Sequence, residues 1–176
     1  YRHPFWSRSP VAHLYSFHWK DGKLYDKRDP QNEKVAFPKQ NEKWLPIDSK
    51  KLAVLLDQNY MFDDEFQYQY NPTFIEWTLN PPYKHFEQLE HTDPKIWSYL
   101  LVKNNKTIAS ITSRPLQLSI NKKICNSFYV DYLCITKGER GKYLAPKMIL
   151  KVEPAIWAEN QKYKEEREHY FGQFSM

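Results

Sequence analysis

From Tyr129 to Ile135 an apolar run breaks into a polar turn containing Gly138 and Gly141. Leu144, Met148, Ile149 and Val152 then follow at helical spacing. No other stretch narrows the fold as much. A strand over 127–135 that feeds a helix opening near Lys142 exposes N–H groups with no intrahelical partner. With the helix dipole they form a seat for an anion such as a pyrophosphate. Arg140 and Lys142 add positive charge, and Gly141 lets the backbone approach a ligand. Taken alone, such a junction is also an ordinary β–α turn with a solvated basic rim.

The 176 residues suffice for one domain, read as an extended arm (1–48), a core (49–152) and a C-terminal helix and tail (153–176). With aromatics at 16%, that core should be rich in Phe, Tyr and Trp. A net charge of +5 favours anionic partners such as coenzyme A, nucleic acid or an acidic membrane surface, although interspersed charges serve solubility equally. No run of about 18 apolar residues suggests a transmembrane helix. The first residue is not Met and no signal-peptide pattern precedes the fold, so the N-terminus is expected to be trimmed or incomplete. Cys125 and Cys134 suggest no disulfide framework, and a reduced, cytoplasmic setting is expected. His3, His13, His18, His85, His91 and His169 lack ligand spacing, so no metal is expected.

Pro4, Pro10, Pro30, Pro38 and Pro46 keep regular structure short in the arm. Leu52, Leu55, Leu56 and Tyr60 lie at helical spacing behind a cap at Asp48 or Ser49. Pro72 suits the first turn of a helix that Pro81 ends. A strand over 96–103, a left-handed turn at Asn104-Asn105 and a return strand over 107–113 make a hairpin. Arg114-Pro115 should break the pattern before 116–120, and Pro154 should end the helix and start another through His169.

Arg140-Gly141-Lys142-Tyr143-Leu144-Ala145 approximates the R/Q-x-x-G-x-G/A pyrophosphate loop of the GNAT superfamily, with Tyr143 in place of the middle glycine. The longer run from Tyr132-Leu133-Cys134-Ile135 to Ala145-Pro146 resembles the N-terminal half of the eukaryotic N-myristoyltransferases. His3-Pro4-Phe5-Trp6 with Ser9-Pro10-Val11, and the segment 59–82, are similar to further parts of that family, in the same order. The resemblance implies an α/β (α+β), GNAT-type, mainly antiparallel sheet flanked by helices and abbreviated at the C-terminal end. That end is then truncated, a fragment, or completed by another chain in an oligomer.

The resemblance also implies an acyl-CoA N-acyltransferase. Acyl-CoA, as myristoyl-CoA or acetyl-CoA, would contact Phe5, Trp6, Tyr132, Leu133, Cys134, Ile135, Arg140, Gly141, Lys142, Tyr143, Leu144 and Ala145. The amine acceptor would be a peptide N-terminus, a lysine or a small amine. The Tyr132 and Leu133 N–H groups would stabilise the oxyanion as the amine attacks directly, and a bulged strand would free them from ladder pairing. Cys134 is the alternative nucleophile, against the reading of a small buried thiol. The family's base is the terminal carboxylate of a much longer chain. Here Asp131, Tyr132 and the acids Asp63, Asp64 and Glu65 qualify by chemistry alone. A silent acyl-CoA-binding module and a basic nucleic-acid-binding domain are the competing classes; no basic–aromatic motif supports the second.

Overall fold

A computed structural model describes residues 36–60, 68–80, 97–120, 122–164 and 174–175. Its sheet grows from Asn104-Asn105, whose φ angles of 49° and 62° supply the left-handed pair of a tight hairpin. That turn joins β2 (Tyr99–Lys103) to β3 (Lys106–Ile120). A second tight turn, with Lys122 at φ 67°, leads into β4 (Lys123–Ile135). β1 (Glu42–Pro46) pairs antiparallel with β2, and β5 (Phe174–Ser175) lies parallel to β4. The order is β1-β2-β3-β4-β5.

Helices cover both faces. α1 (Ser49–Asn59) is capped by Asp48 Oδ1, which accepts the Lys51 N–H at 2.9 Å. α2 (Pro72–Leu79) starts at Asn71, whose side chain accepts the Thr73 N–H, and it has Pro72 where no N–H is needed. These two helices pack Leu52, Leu55, Leu56, Ile75 and Leu79 on Leu100, Tyr132 and Cys134. On the opposite face, α3 (Leu144–Lys164) packs Leu144, Met148, Ile149 and Val152 on Trp97, Leu101, Ile111 and Phe128. A mixed, mainly antiparallel sheet with flanking helices is the expected fold class.

Both proline expectations are corrected. β3 runs through Pro115, which pairs with Phe128 beyond the last β2 partner, Ile111. There the strand's other edge has no strand neighbour among the described residues, so the missing N–H forfeits no ladder bond. Pro154 lies inside α3, which continues to Lys164. Proline normally interrupts a helix, but Val152 and Ala155 on either side are packed against the core and hold its course. The sheet also extends beyond the expected strands: β1 arises from the proline-punctuated arm, and Phe174–Ser175 supplies a parallel strand after α3.

Candidate functional site

The site begins with a register change in β4. Ser110 faces Cys134 and Thr112 faces Asp131, so Ile111 alone stands opposite the two residues Tyr132 and Leu133. This is a β-bulge. It reverses the alternation of side chains: Phe128, Val130, Leu133 and Ile135 all reach the α3 face, while Tyr132 and Cys134 turn to α1 and α2. A straight strand would leave Tyr132 and Cys134 beside Phe128 and Val130.

Tyr132 has φ 46°, a left-handed conformation that costs a β-carbon-bearing residue about 1 kcal/mol or more. Side chains offset that cost. Ser110 Oγ–H donates to the Tyr132 carbonyl at 2.8 Å, and Thr112 Oγ1–H donates to the Asp131 carbonyl at 2.9 Å. The Tyr132 N–H donates to Asp131 Oδ1 at 2.7 Å. A substrate oxygen seeking that N–H must therefore displace a carboxylate.

Tyrosines line the α1/α2 side of the bulge. Tyr70 meets the rings of Tyr60, Tyr68 and Tyr132 at centroid distances of 5.9, 5.4 and 6.3 Å. Burial, then the neighbouring phenols and Asp131, push the Tyr70 hydroxyl up to about 12. Cys134 is 2% exposed. Burial pushes its thiol up to about 11, and the Arg140 charge opposes that only in part. A thiol so protonated is a poor nucleophile.

The turn after β4 is tied back to α1. Buried Asn59 donates from Nδ2 to the Leu55 carbonyl at 3.0 Å and accepts the Lys137 N–H on Oδ1, also at 3.0 Å. Its own carbonyl accepts from Arg140 Nη2, while Arg140 Nε donates to the Ile135 carbonyl at 3.2 Å. Gly141 then takes φ 78° and Tyr143 φ 60°, and α3 opens at Leu144. Tyr143 is 60% exposed. Lys142 pairs with Glu139 at 3.1 Å, as does Lys103 at 3.0 Å, and both lysines hold the Glu139 carboxyl below its usual range. A bound phosphate would compete with Glu139 for these ammonium groups. Lys147, in the first turn of α3, instead points at Glu42 and the Trp44 ring.

The structure thus brings Tyr132, Leu133, Cys134 and Ile135 on β4 within one short turn of Arg140, Gly141, Lys142, Tyr143, Leu144 and Ala145. Phe5, Trp6, Asp63, Asp64, Glu65 and all six histidines lie outside the described residues. Among the described residues no group of His, Cys, Asp or Glu could hold a metal ion, and no helix is long and apolar enough to cross a membrane. Sequence reasoning passed over Ser110, Thr112 and Asn59. The hydroxyls of Ser110 and Thr112 alternate along a strand, which is a visible signal; the partners of Asn59 lie far along the chain.

Residues 26–161 match the family described as Myristoyl-CoA:protein N-myristoyltransferase, N-terminal domain. The glycylpeptide N-tetradecanoyltransferase of Dictyostelium discoideum is 28% identical over 160 residues, 85% of this chain and 37% of that one. The Candida albicans enzyme of the same name is 29% identical over 169 residues, 89% of this chain and 36% of that one. Among solved structures, Saccharomyces cerevisiae N-myristoyltransferase with bound myristoyl-CoA superposes with a TM-score of 0.69 at 24% identity, covering 89% of this chain and 36% of that one. The chain spans about a third of the length of these relatives.

Proposed function

Since this chain belongs to the N-myristoyltransferase family, we propose that it binds myristoyl-CoA and presents the thioester for transfer to the amine of a peptide. The observation that carries this reading is the bulge at Tyr132–Leu133, set one short turn before the N-terminus of α3. In this arrangement the pyrophosphate lies on the backbone of 141–145, with Lys142 exchanging Glu139 for a phosphate oxygen. The thioester carbonyl then reaches the bulge, where the Tyr132 and Leu133 amides stabilise the oxyanion. Arg140 serves by holding the turn to Asn59 and Ile135 rather than as a free cation.

The acceptor amine attacks the acyl carbon directly and no acyl-cysteine forms, because Cys134 is buried and protonated. A long acyl chain is preferred to acetyl, in keeping with relatives named for tetradecanoyl transfer. Calorimetric titration with CoA, acetyl-CoA and myristoyl-CoA tests the proposal. Myristoyl-CoA should bind tightest, and Gly141→Pro should abolish binding because proline cannot adopt φ 78°. Equal affinity for acetyl-CoA would refute the chain-length assignment, and binding of none of the three would refute the function.

A further inference from the structure

A bulge takes backbone donors out of ladder pairing, and an unmet donor at a buried residue is costly. At Tyr132 the preceding carboxylate meets that need: Asp131 Oδ1 accepts the N–H at 2.7 Å. The main chain around this contact is pinned independently. Thr112 Oγ1–H holds the Asp131 carbonyl, and Ser110 Oγ–H holds the Tyr132 carbonyl. Releasing the donor therefore asks only for a turn of the Asp131 side chain from one staggered well to another. A second position for the carboxylate is built into the register. Thr112 faces Asp131 and Arg114 faces Tyr129, so Arg114 lies diagonally across from Asp131. Phe128 and Val130 reach the α3 face, which puts Tyr129 and Asp131 on the opposite one. Arg114 is there too, its guanidinium 5.1 Å from the Tyr129 ring centroid. Diagonal neighbours lie about 7–8 Å apart, within reach of a long side chain. The Tyr132 phenol senses both charges: burial first and then Asp131 raise it, and Arg114 opposes them.

We infer that the Asp131 carboxylate is a stopper in the oxyanion hole, displaced by the thioester carbonyl and then received by Arg114. This rests on the acyl-transfer reading and adds how its donor is opened. Without ligand, the carboxylate satisfies the Tyr132 N–H and keeps the bulge formed. A neutral carbonyl oxygen is a weaker acceptor than a carboxylate and would lose the contest by itself. Pairing with Arg114 compensates the displaced charge and draws it away from the acyl oxygen. As the amine attacks, that oxygen becomes an oxyanion and holds the N–H more strongly than the ground-state carbonyl does. The stopper thus disfavours the bound thioester more than the transition state, which is the difference that speeds transfer. Free CoA carries no acyl carbonyl and leaves the stopper in place.

Titrating CoA and myristoyl-CoA onto wild type, Asp131→Ala, Asp131→Asn and Arg114→Gln separates the parts. Asp131→Ala removes the competing acceptor and should tighten myristoyl-CoA about tenfold, the worth of a hydrogen bond to a charged group. Asp131→Asn keeps a weaker, neutral acceptor for the amide, so its gain should be about threefold. The asparagine also leaves the Tyr132 N–H satisfied, which preserves the test where alanine disturbs the bulge. CoA should bind wild type and both Asp131 variants within about twofold of one another. Arg114→Gln should weaken myristoyl-CoA about fivefold, and adding it to Asp131→Ala should change nothing further. Myristoyl-CoA no tighter in either Asp131 variant, or CoA tightened as much as myristoyl-CoA, would overturn the stopper. An equal loss from Arg114→Gln with and without the Asp131 carboxylate would overturn the part given to Arg114. Failure of wild type to bind either ligand would instead strike the acyl-transfer reading, and this inference with it.

Discussion

The two faces of the sheet are built on different principles. On the α3 face, Met148, Val152, Trp97 and Leu101 pack apolar against apolar, and the buried Lys147–Glu42 charge pair is closed on itself. Lys147 and Glu42 have side chains 5% exposed each, and the Lys39 N–H adds a bond to the same Glu42 oxygen at 2.9 Å. On the α1/α2 face, hydroxyls hold a strand out of register, a tyrosine has positive φ, and a carboxylate occupies a main-chain donor. The first face stabilises the sheet. The second stores a conformation that packing alone would not select, and such conformations concentrate where ligands are handled.

Substitutions can separate these roles. The largest effect belongs to the α3 face: Lys147→Met leaves the buried Glu42 carboxylate without its counter-charge, which should cost about 3–5 kcal/mol in denaturant melts. Adding Glu42→Leu should restore most of it. Burial raises the Glu42 carboxyl, but the Lys147 hydrogen bond and charge and the Lys39 amide outweigh it and hold the folded value below 4.5. Its contribution is therefore complete above the unfolded carboxyl pKa and is lost as pH falls through the lower folded one. The Glu42→Leu/Lys147→Met double variant should lack that acid-side loss. Met148→Ala, at a fully buried position, should cost about 2–5 kcal/mol through its cavity, with ligand affinity per folded molecule unchanged.

Across the sheet the balance should reverse. Ser110→Ala with Thr112→Val removes the two hydroxyls that pair the bulge carbonyls and should cost about 1–3 kcal/mol of stability, with transfer impaired beyond the loss of folded protein. Asn59→Ala, which unties the turn from α1, should cost about 1–2 kcal/mol and weaken myristoyl-CoA binding. Cys134→Ala should change the least: a loss of about 1 kcal/mol and transfer within about tenfold of wild type. Native Cys134 should resist alkylation at neutral pH, its thiol lying near 11.

Local chemistry made the α3 face and the helix caps legible in the sequence. Asp48, Asn71-Pro72 and Asn104-Asn105 each act on neighbours a few residues away, and each does what its residue type suggests. Pro115 and Pro154 misled for the complementary reason: the edge position of one and the packing around the other are tertiary facts. The bulge was less visible. Apart from Asp131, Tyr129–Ile135 is apolar on both faces, so its pattern carries no clear parity break; the bulge was implied by the family resemblance alone, and the extra residue shows once β3 is laid beside it. The tie from Asn59 to Lys137 and Arg140 bridges most of the core and leaves no periodic trace.

Amide hydrogen exchange with and without saturating myristoyl-CoA tests most directly whether the bulged face, and not the packed one, serves the ligand. Exchange should slow at Tyr132, Leu133 and 141–145, while β1 and its partners in β2 stay unchanged. Protection confined to β1 and the Glu42–Lys147 region, with none at the bulge, would contradict the division of labour between the two faces.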